Sequence, residues 1–100
     1  MIQLIPLEVE GRSVVGIHVV LPKTNLLAVA TEKGYIMCGA LDVALLNEKL
    51  ADRGIVAGRA VGVRTLEELL EAPLESVTLA AEQLGIQPGI PGKEAILKML

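Results

Sequence analysis

The chain has 100 residues, of which 52% are apolar and 21% charged, and its formal net charge is −3. Its only aromatic residue is Tyr35 and it contains no basic run, so we expect no nucleic-acid partner. Gly, Asp, Lys or Arg interrupts every apolar stretch before the roughly 20 residues that a membrane-spanning helix needs. The length is that of a single domain.

The cysteine and histidine counts restrict the chemistry further. Cys38 is the only cysteine, so no disulfide can form within the chain, and with a single histidine a structural zinc site is not expected. We predict no metal and no cofactor. The first ten residues, MIQLIPLEVE, lack the basic segment of a signal peptide, and we therefore expect a cytoplasmic protein.

The N-terminal part, residues 1–40, is predicted to be mainly β. Alternation of apolar and acidic residues near its end indicates a strand over residues 2–10. The segment VVGIHVVL is apolar on both faces, which is typical of a central strand or of one that another subunit covers. Turn residues at 11–13, 22–25 and 32–34 separate the four strands of an antiparallel meander. The predicted strands are 2–10, 14–21, 26–31 and 35–38.

The C-terminal part, residues 41–100, is predicted to be mainly helical with one strand. Apolar spacing defines the first helix, and Gly54 is expected to end it in a left-handed conformation, with Ile55 in contact with Leu50. Thr65 and Glu68 match a helix-capping box. The predicted elements are a helix over 41–53, a strand over 55–64, and helices over 65–71, 74–84 and 93–100. Strands followed by helices indicate an α+β fold in one domain spanning residues 1–100.

The apolar content predicts self-association. A chain of this length buries only about two-thirds of its unfolded surface. Its 52% of apolar residues exceed what such a domain easily hides. No apolar stretch is long enough to span a membrane, so burial between subunits remains as the explanation for the apolar excess. The strand over residues 14–21 is the segment expected to mediate this contact.

Cys38 is a candidate nucleophile, because the predicted sheet ends there and a helix follows. Nearby helix N–H groups would lower the pKa of its thiol. His18 is the only histidine that could act as its base, provided that the second and fourth strands come together. The alternative is that Cys38 and His18 are ordinary core or interface residues. Asp42 is either a ligand-binding residue or a carboxylate that stabilises the helix start.

Arg59 interrupts an apolar strand face. Its guanidinium must reach solvent, pair with a carboxylate such as Asp42 or Glu48, or hold an anionic ligand. Lys23 and Asn25 lie in a polar loop between apolar strands, a position that often carries function but is more often a solvated turn. These residues, with Asp42, are the ligand-binding candidates, and the ligand would be a small anion.

Two long segments, GYIMCGALDVALLNEKL and RGIVAGRAVGVRTLEELLEAPLESVT, together with LPKTN at 21–25, resemble the YunC-like family. This is a family of small bacterial and archaeal proteins classed as a domain of unknown function. The resemblance covers nearly the whole chain. It implies an α+β fold whose N-terminal β region forms an oligomer, a tetramer, and it supplies no catalytic residues.

Two kinds of function remain open from the sequence. The first is a homo-oligomeric domain that binds a small ligand or a protein partner, or serves purely as an assembly module. The second is an enzyme that uses Cys38, with His18, in acyl or thiol chemistry. The absence of a recognisable catalytic constellation favours the first.

Overall fold

A single six-stranded sheet organises the chain. The computed structural model describes residues 1–49 and 51–100. The strands are β1 (Ile2–Val9), β2 (Arg12–Leu21), β3 (Thr24–Ala30), β4 (Gly34–Met37), β5 (Val56–Arg59) and β6 (Ser76–Val77). The helices are α1 (Val43–Glu48), α2 (Leu66–Glu71), α3 (Leu79–Gln83) and α4 (Gly92–Lys98), with a 3-10 turn at Ala51–Arg53.

The strands lie in the sheet in their order along the chain, from β1 to β6. The first four form the predicted antiparallel meander, and the α+β class is confirmed. Between β1 and β2, Glu10 and Gly11 both adopt positive φ, the conformation that a two-residue hairpin turn requires. Between β2 and β3 the turn is Pro22-Lys23, shorter than the predicted loop, because Thr24 already pairs with Leu21.

The strand β5 joins the sheet differently, since it runs parallel to β4 after the crossover through α1. It ends at Arg59 rather than at the predicted residue 64, and the chain turns away at Gly62, whose φ is +75°. The nearly bare face predicted for this strand is used for close packing. A Cβ atom on Gly58 would meet Cδ1 of Leu74 at 2.8 Å.

The predicted helix over 74–84 is wrong in its first part. Residues 76–77 form β6, antiparallel to β5, and α3 begins only at Leu79. Thr78 caps it, because its side chain accepts the Ala81 N–H. The first helix is also shorter than predicted, and the expected contact between Ile55 and Leu50 lies outside the described residues.

The main core lies on one face of the sheet. Helices α2 and α4 pack together there and contact β3 and β4 respectively. Its side chains are almost all aliphatic, as the composition requires; Leu27, Ile36, Leu69, Ile86, Ile96 and Met99 are the largest fully buried apolar ones. No helix in the described part of the chain is long and apolar enough to cross a membrane.

On the opposite face of β1–β3, three adjacent cross-strand rows contain only apolar residues and are here called the outer face; Glu8 with Ser13, and Leu21 with Thr24, form the rows on either side of them. Exposure is greatest on β1, where Ile2 and Leu4 are each 70% exposed. On β2, Val15 is 45% exposed. The rows are Ile2–Val19–Leu26, Leu4–Ile17–Ala28 and Pro6–Val15–Ala30.

Candidate functional site

The candidate site is a cleft where β5 and β6 meet the loop after β4. That loop leaves the sheet at Cys38 and reaches α1 through residues 39–42. Asp42 ends it as the helix cap, accepting the Leu45 N–H through Oδ1 at 3.0 Å. Asp42 therefore stabilises the start of α1, which is one of the two roles expected for it, and it also lines the cleft.

Arg59, at the end of β5, joins two walls of the cleft. Its Nε and Nη2 donate to the carbonyl oxygen of Gly39 at 3.3 and 3.1 Å. Its Nη1 donates to Oε1 of Glu75 at 2.9 Å. The side chain is 28% exposed, so the pair lies at the surface of the cleft rather than in the core. The guanidinium thus holds the loop after β4 against the start of β6.

The carboxylate partner of Arg59 is Glu75, and not Asp42 or Glu48 as the sequence suggested. Glu75 immediately precedes β6, and Arg59 is opposite Ser76 in the register of β5 and β6. The hydroxyl of Ser76 donates to the Glu75 carboxylate at 2.6 Å. This hydrogen bond, followed by the one from Arg59, holds the pKa of Glu75 below its ordinary 4.5, because both stabilise the ionised form.

The cleft has a volume of about 810 Å³ and is open to solvent. Arg59 is the one cation among the described residues that line it, whereas Asp42, Glu75 and Glu82 contribute three carboxylates. Asn47 also faces it, and its side-chain oxygen accepts the Leu79 N–H at 2.9 Å. With Glu75 neutralising Arg59, the remaining charge of the lining is negative.

Cys38 lies outside this cleft. Its side chain is only 7% exposed and belongs to the main core cluster. Its Sγ accepts a hydrogen bond from the Leu27 N–H of β3 at 3.4 Å, rather than from the start of α1. The thiol is thus a core group, and its hydrogen bond comes from the neighbouring strand β3.

His18 does not contact Cys38, because β3 lies between β2 and β4. Both residues flank Leu27, so two strand spacings, about 10 Å, separate their backbones. The His18 ring instead hydrogen-bonds Asn25, with 3.1 Å between Nε2 and Oδ1. Lys23 occupies the adjacent turn with a φ of +64°. Of the predicted site residues, the cleft therefore brings together Arg59 and Asp42, while the other four lie elsewhere.

Sequence reasoning missed Glu75, Ser76, Asn47 and Glu82, all of which line the cleft. The first two fell within a predicted helix, so no pairing with Arg59 could be considered. Thr78 was the available signal, since a threonine before a run of good helix formers is a preferred helix cap. Within residues 1–49 and 51–100, no three His, Cys, Asp or Glu side chains are grouped so that they could hold a metal ion.

Comparison with known proteins places the chain in a family. Residues 37–99 match the family described as "Domain of unknown function (DUF1805)". The chain is 66% identical over 100 residues to the uncharacterized protein YunC of Bacillus subtilis (strain 168), covering 100% of this chain and 99% of YunC. The crystal structure of TA1206, a protein of unknown function from Thermoplasma acidophilum, matches with a TM-score of 0.88 at 31% identity, over 100% of this chain and 94% of that one. The chain therefore belongs to the YunC-like family of DUF1805 domains.

Proposed function

We propose that this chain is a self-assembling binding domain. The outer face of its N-terminal sheet joins several copies, and the cleft around Arg59 receives a small polar ligand. The observation that carries the proposal is the outer face itself, three rows of aliphatic residues without a charge, in which Ile2 and Leu4 are each 70% exposed and Val15 is 45% exposed, while Ala28 is buried. Soluble proteins rarely leave such a contiguous apolar surface in water.

Light scattering on the purified protein tests the assembly. One chain has a mass of 10.6 kDa, and we expect a particle of several times that mass, with a tetramer as the first candidate. Burying the exposed apolar side chains of the outer face removes them from water, which favours assembly, and we expect the assembly to persist at micromolar concentration. A particle with the mass of a single chain at that concentration would contradict the proposal.

The ligand part of the proposal rests on the cleft. Its volume of about 810 Å³ is sufficient for a small molecule. An anion could reach Arg59 only in competition with Glu75, which already accepts from Nη1. We therefore expect weak binding of anions by the wild type and stronger binding after Glu75→Gln, which keeps the shape of the side chain but removes its charge.

Titration with inorganic phosphate and with acetate, followed by thermal unfolding, tests the anion preference. A ligand that binds only the folded chain raises its apparent stability by mass action. The control is Glu48→Gln, a carboxylate of α1 that is not among the cleft residues. If Glu75→Gln responds to anions no more than Glu48→Gln does, the cleft is not an anion site and the ligand is neutral or cationic.

An enzymatic role for Cys38 receives less support. Burial keeps reagents from the thiol, and the separation from His18 leaves it without a base. We retain the binding domain as the proposed function.

A further inference from the structure

The guanidinium of Arg59 retains hydrogen-bond donors that the fold does not use. A guanidinium has five N–H donors. In the described chain, Arg59 makes three hydrogen bonds to protein acceptors, one each through Nε, Nη1 and Nη2. One N–H on Nη1 and one on Nη2 are therefore left over. The side chain lines the cleft and is 28% exposed, so a ligand in the cleft can accept from these two groups.

The Glu75 carboxylate uses only one of its two oxygens within the fold. Oε1 accepts from Nη1 of Arg59 at 2.9 Å and from the Ser76 hydroxyl at 2.6 Å. Oε2 accepts no hydrogen bond from the residues that the structure describes. Because both oxygens are bonded to the same carbon, this unused acceptor lies next to the guanidinium that carries the unused donors. The ion pair therefore presents a donor beside an acceptor to the cleft that it lines.

Two further side chains of the cleft lining show the same division between a structural atom and an unused one. Oδ1 of Asp42 accepts the Leu45 N–H at 3.0 Å, and Oδ1 of Asn47 accepts the Leu79 N–H at 2.9 Å. Oδ2 of Asp42 and Nδ2 of Asn47 have no hydrogen-bond partner within residues 1–49 and 51–100. The cleft thus offers both donors and acceptors. A ligand that carries only one kind of group would leave part of this lining unmatched, which costs affinity.

We infer that the cleft binds a small neutral amide whose N–H and C=O lie on the same side, as in a primary carboxamide or a lactam. The ligand oxygen accepts from Arg59, and the ligand N–H donates to Oε2 of Glu75. This inference rests on the proposed ligand cleft and specifies the chemistry of its ligand. A trans peptide bond does not fit, because its N–H and C=O point in opposite directions. A carboxylate offers Oε2 no donor and is repelled by Glu75 and Asp42.

Acetamide, acetate and acetamidinium test the inference, because they share one planar shape and differ in charge and in their donors and acceptors. Each is titrated into the wild-type protein while NMR follows the Arg59 Nε–H and the Ser76 amide. We expect acetamide to bind about fivefold more tightly than either ion, since each ion leaves one member of the Arg59–Glu75 pair unmatched.

Two probes of similar size then test the geometry of the amide. The lactam γ-butyrolactam holds its N–H and C=O on one side and should bind about as tightly as acetamide. N-Methylacetamide is trans and should bind about fivefold more weakly than the lactam. The tighter binder of acetamide and the lactam indicates whether the natural ligand is an open carboxamide or a ring. Preference for either ion, or equal binding of the trans amide and the lactam, would overturn the inference.

Glu75→Gln should reverse the preference between acetamide and acetate. The new side-chain oxygen accepts from Arg59 in place of Oε1, and the new NH2 group replaces the acceptor Oε2 by a donor. Acetate should then bind about fivefold more tightly than acetamide. Glu48→Gln, outside the cleft lining, is the control and should keep the wild-type order. An unchanged order in Glu75→Gln would contradict the inference, and if that variant does not fold, the wild-type order decides.

The same titrations separate this inference from the proposed function on which it rests. Saturable binding of acetate or acetamidinium in preference to acetamide would overturn the amide chemistry and leave the cleft as a ligand site. Absence of saturable binding by every probe would remove the ligand part of the proposed function, and the inference with it.

Discussion

Thr78 and Ala57 are joined by two hydrogen bonds that run in opposite directions. The Ala57 N–H donates to the Thr78 hydroxyl at 3.1 Å, and the Thr78 N–H donates to the Ala57 carbonyl at 2.9 Å. The same hydroxyl donates to the Ile55 carbonyl at 2.7 Å and accepts the Ala81 N–H at 3.2 Å. One buried oxygen thus links the start of β5 to the start of α3.

Thr78→Val should therefore be clearly destabilising although it preserves shape. Several backbone groups would lose their partner at a site where the side chain is only 2% exposed. We expect a loss of about 3 kcal/mol in the free energy of unfolding, measured by urea denaturation. Thr24→Val, at the exposed start of β3, is the matched control and should change stability by less than about 0.5 kcal/mol. Equal effects at both positions would contradict the role given to Thr78.

Val15→Glu and Ile17→Glu should each dissociate the oligomer into folded monomers. Both side chains lie on the outer face, where a second copy would leave the new carboxylate buried without a partner. Light scattering gives the mass and circular dichroism confirms that the chain is folded. Val61→Glu is the control, because Val61 is 49% exposed but lies beyond β5 and away from the outer face. Retention of the wild-type mass by both outer-face variants would show that another surface joins the copies.

Glu75→Gln should lower stability at neutral pH, and the difference from the wild type should shrink in acid. The folded chain holds the pKa of Glu75 below its ordinary 4.5, chiefly through the Ser76 hydroxyl and then through Arg59. Ionised Glu75 therefore stabilises the fold above pH 4.5, and this contribution is lost as the pH falls through the lowered pKa. Thermal unfolding from pH 7 to pH 3 measures the difference. Glu32→Gln, at an exposed loop position, should show a smaller difference at pH 7.

Gly92→Ala should destabilise the chain by about 1–3 kcal/mol, the usual cost of overpacking. A methyl group there would collide with the Leu69 carbonyl oxygen and with the Ile36 side chain, where α4 crosses α2 and β4. Gly39→Ala is the control. Its methyl group would find only ordinary contacts, 3.6 Å from Arg59 and 3.8 Å from Val61. Urea denaturation compares the two, and similar costs would contradict the close packing described at Gly92.

Cys38 should react slowly with an alkylating reagent in the folded chain and rapidly once the chain is unfolded. Burial at 7% exposure blocks access to Sγ. The assay compares labelling rates with and without urea, across a range of pH. A new cysteine introduced as Glu67→Cys, at an exposed position of α2, provides an internal reference for reagent activity. Labelling of Cys38 as fast as that reference would reopen the enzymatic alternative.

Much of the fold could be predicted because its signals are local. The turn at Gly11, the Thr65 cap and the left-handed Gly54 each follow from a few neighbouring residues, and the structure has all three. The strand β6 could not be predicted in this way. It contains two residues, and it exists because β5 is beside it, a contact between segments far apart in the sequence.

Predicting the candidate site required the same contact between β5 and β6. Arg59 was recognisable as a charge on an apolar strand, and Asp42 as a residue at a helix start. Their neighbours were not, since Glu75 reaches Arg59 only through the pairing of β5 with β6. The contact between His18 and Cys38 was left open for a similar reason, because strand order decides it and composition does not.

The agreement between strand order and chain order has a consequence for folding. Each of the first three strands pairs with the next across a loop of two or three residues, so little loop-closure entropy opposes the growing sheet. The first longer closure is the parallel pairing of Gly34 with Val56. The hairpins can form and re-form quickly, while docking of β5 requires the crossover to be in place. We therefore expect the rate of folding to respond more to substitutions between β4 and β5 than to those in the first hairpin.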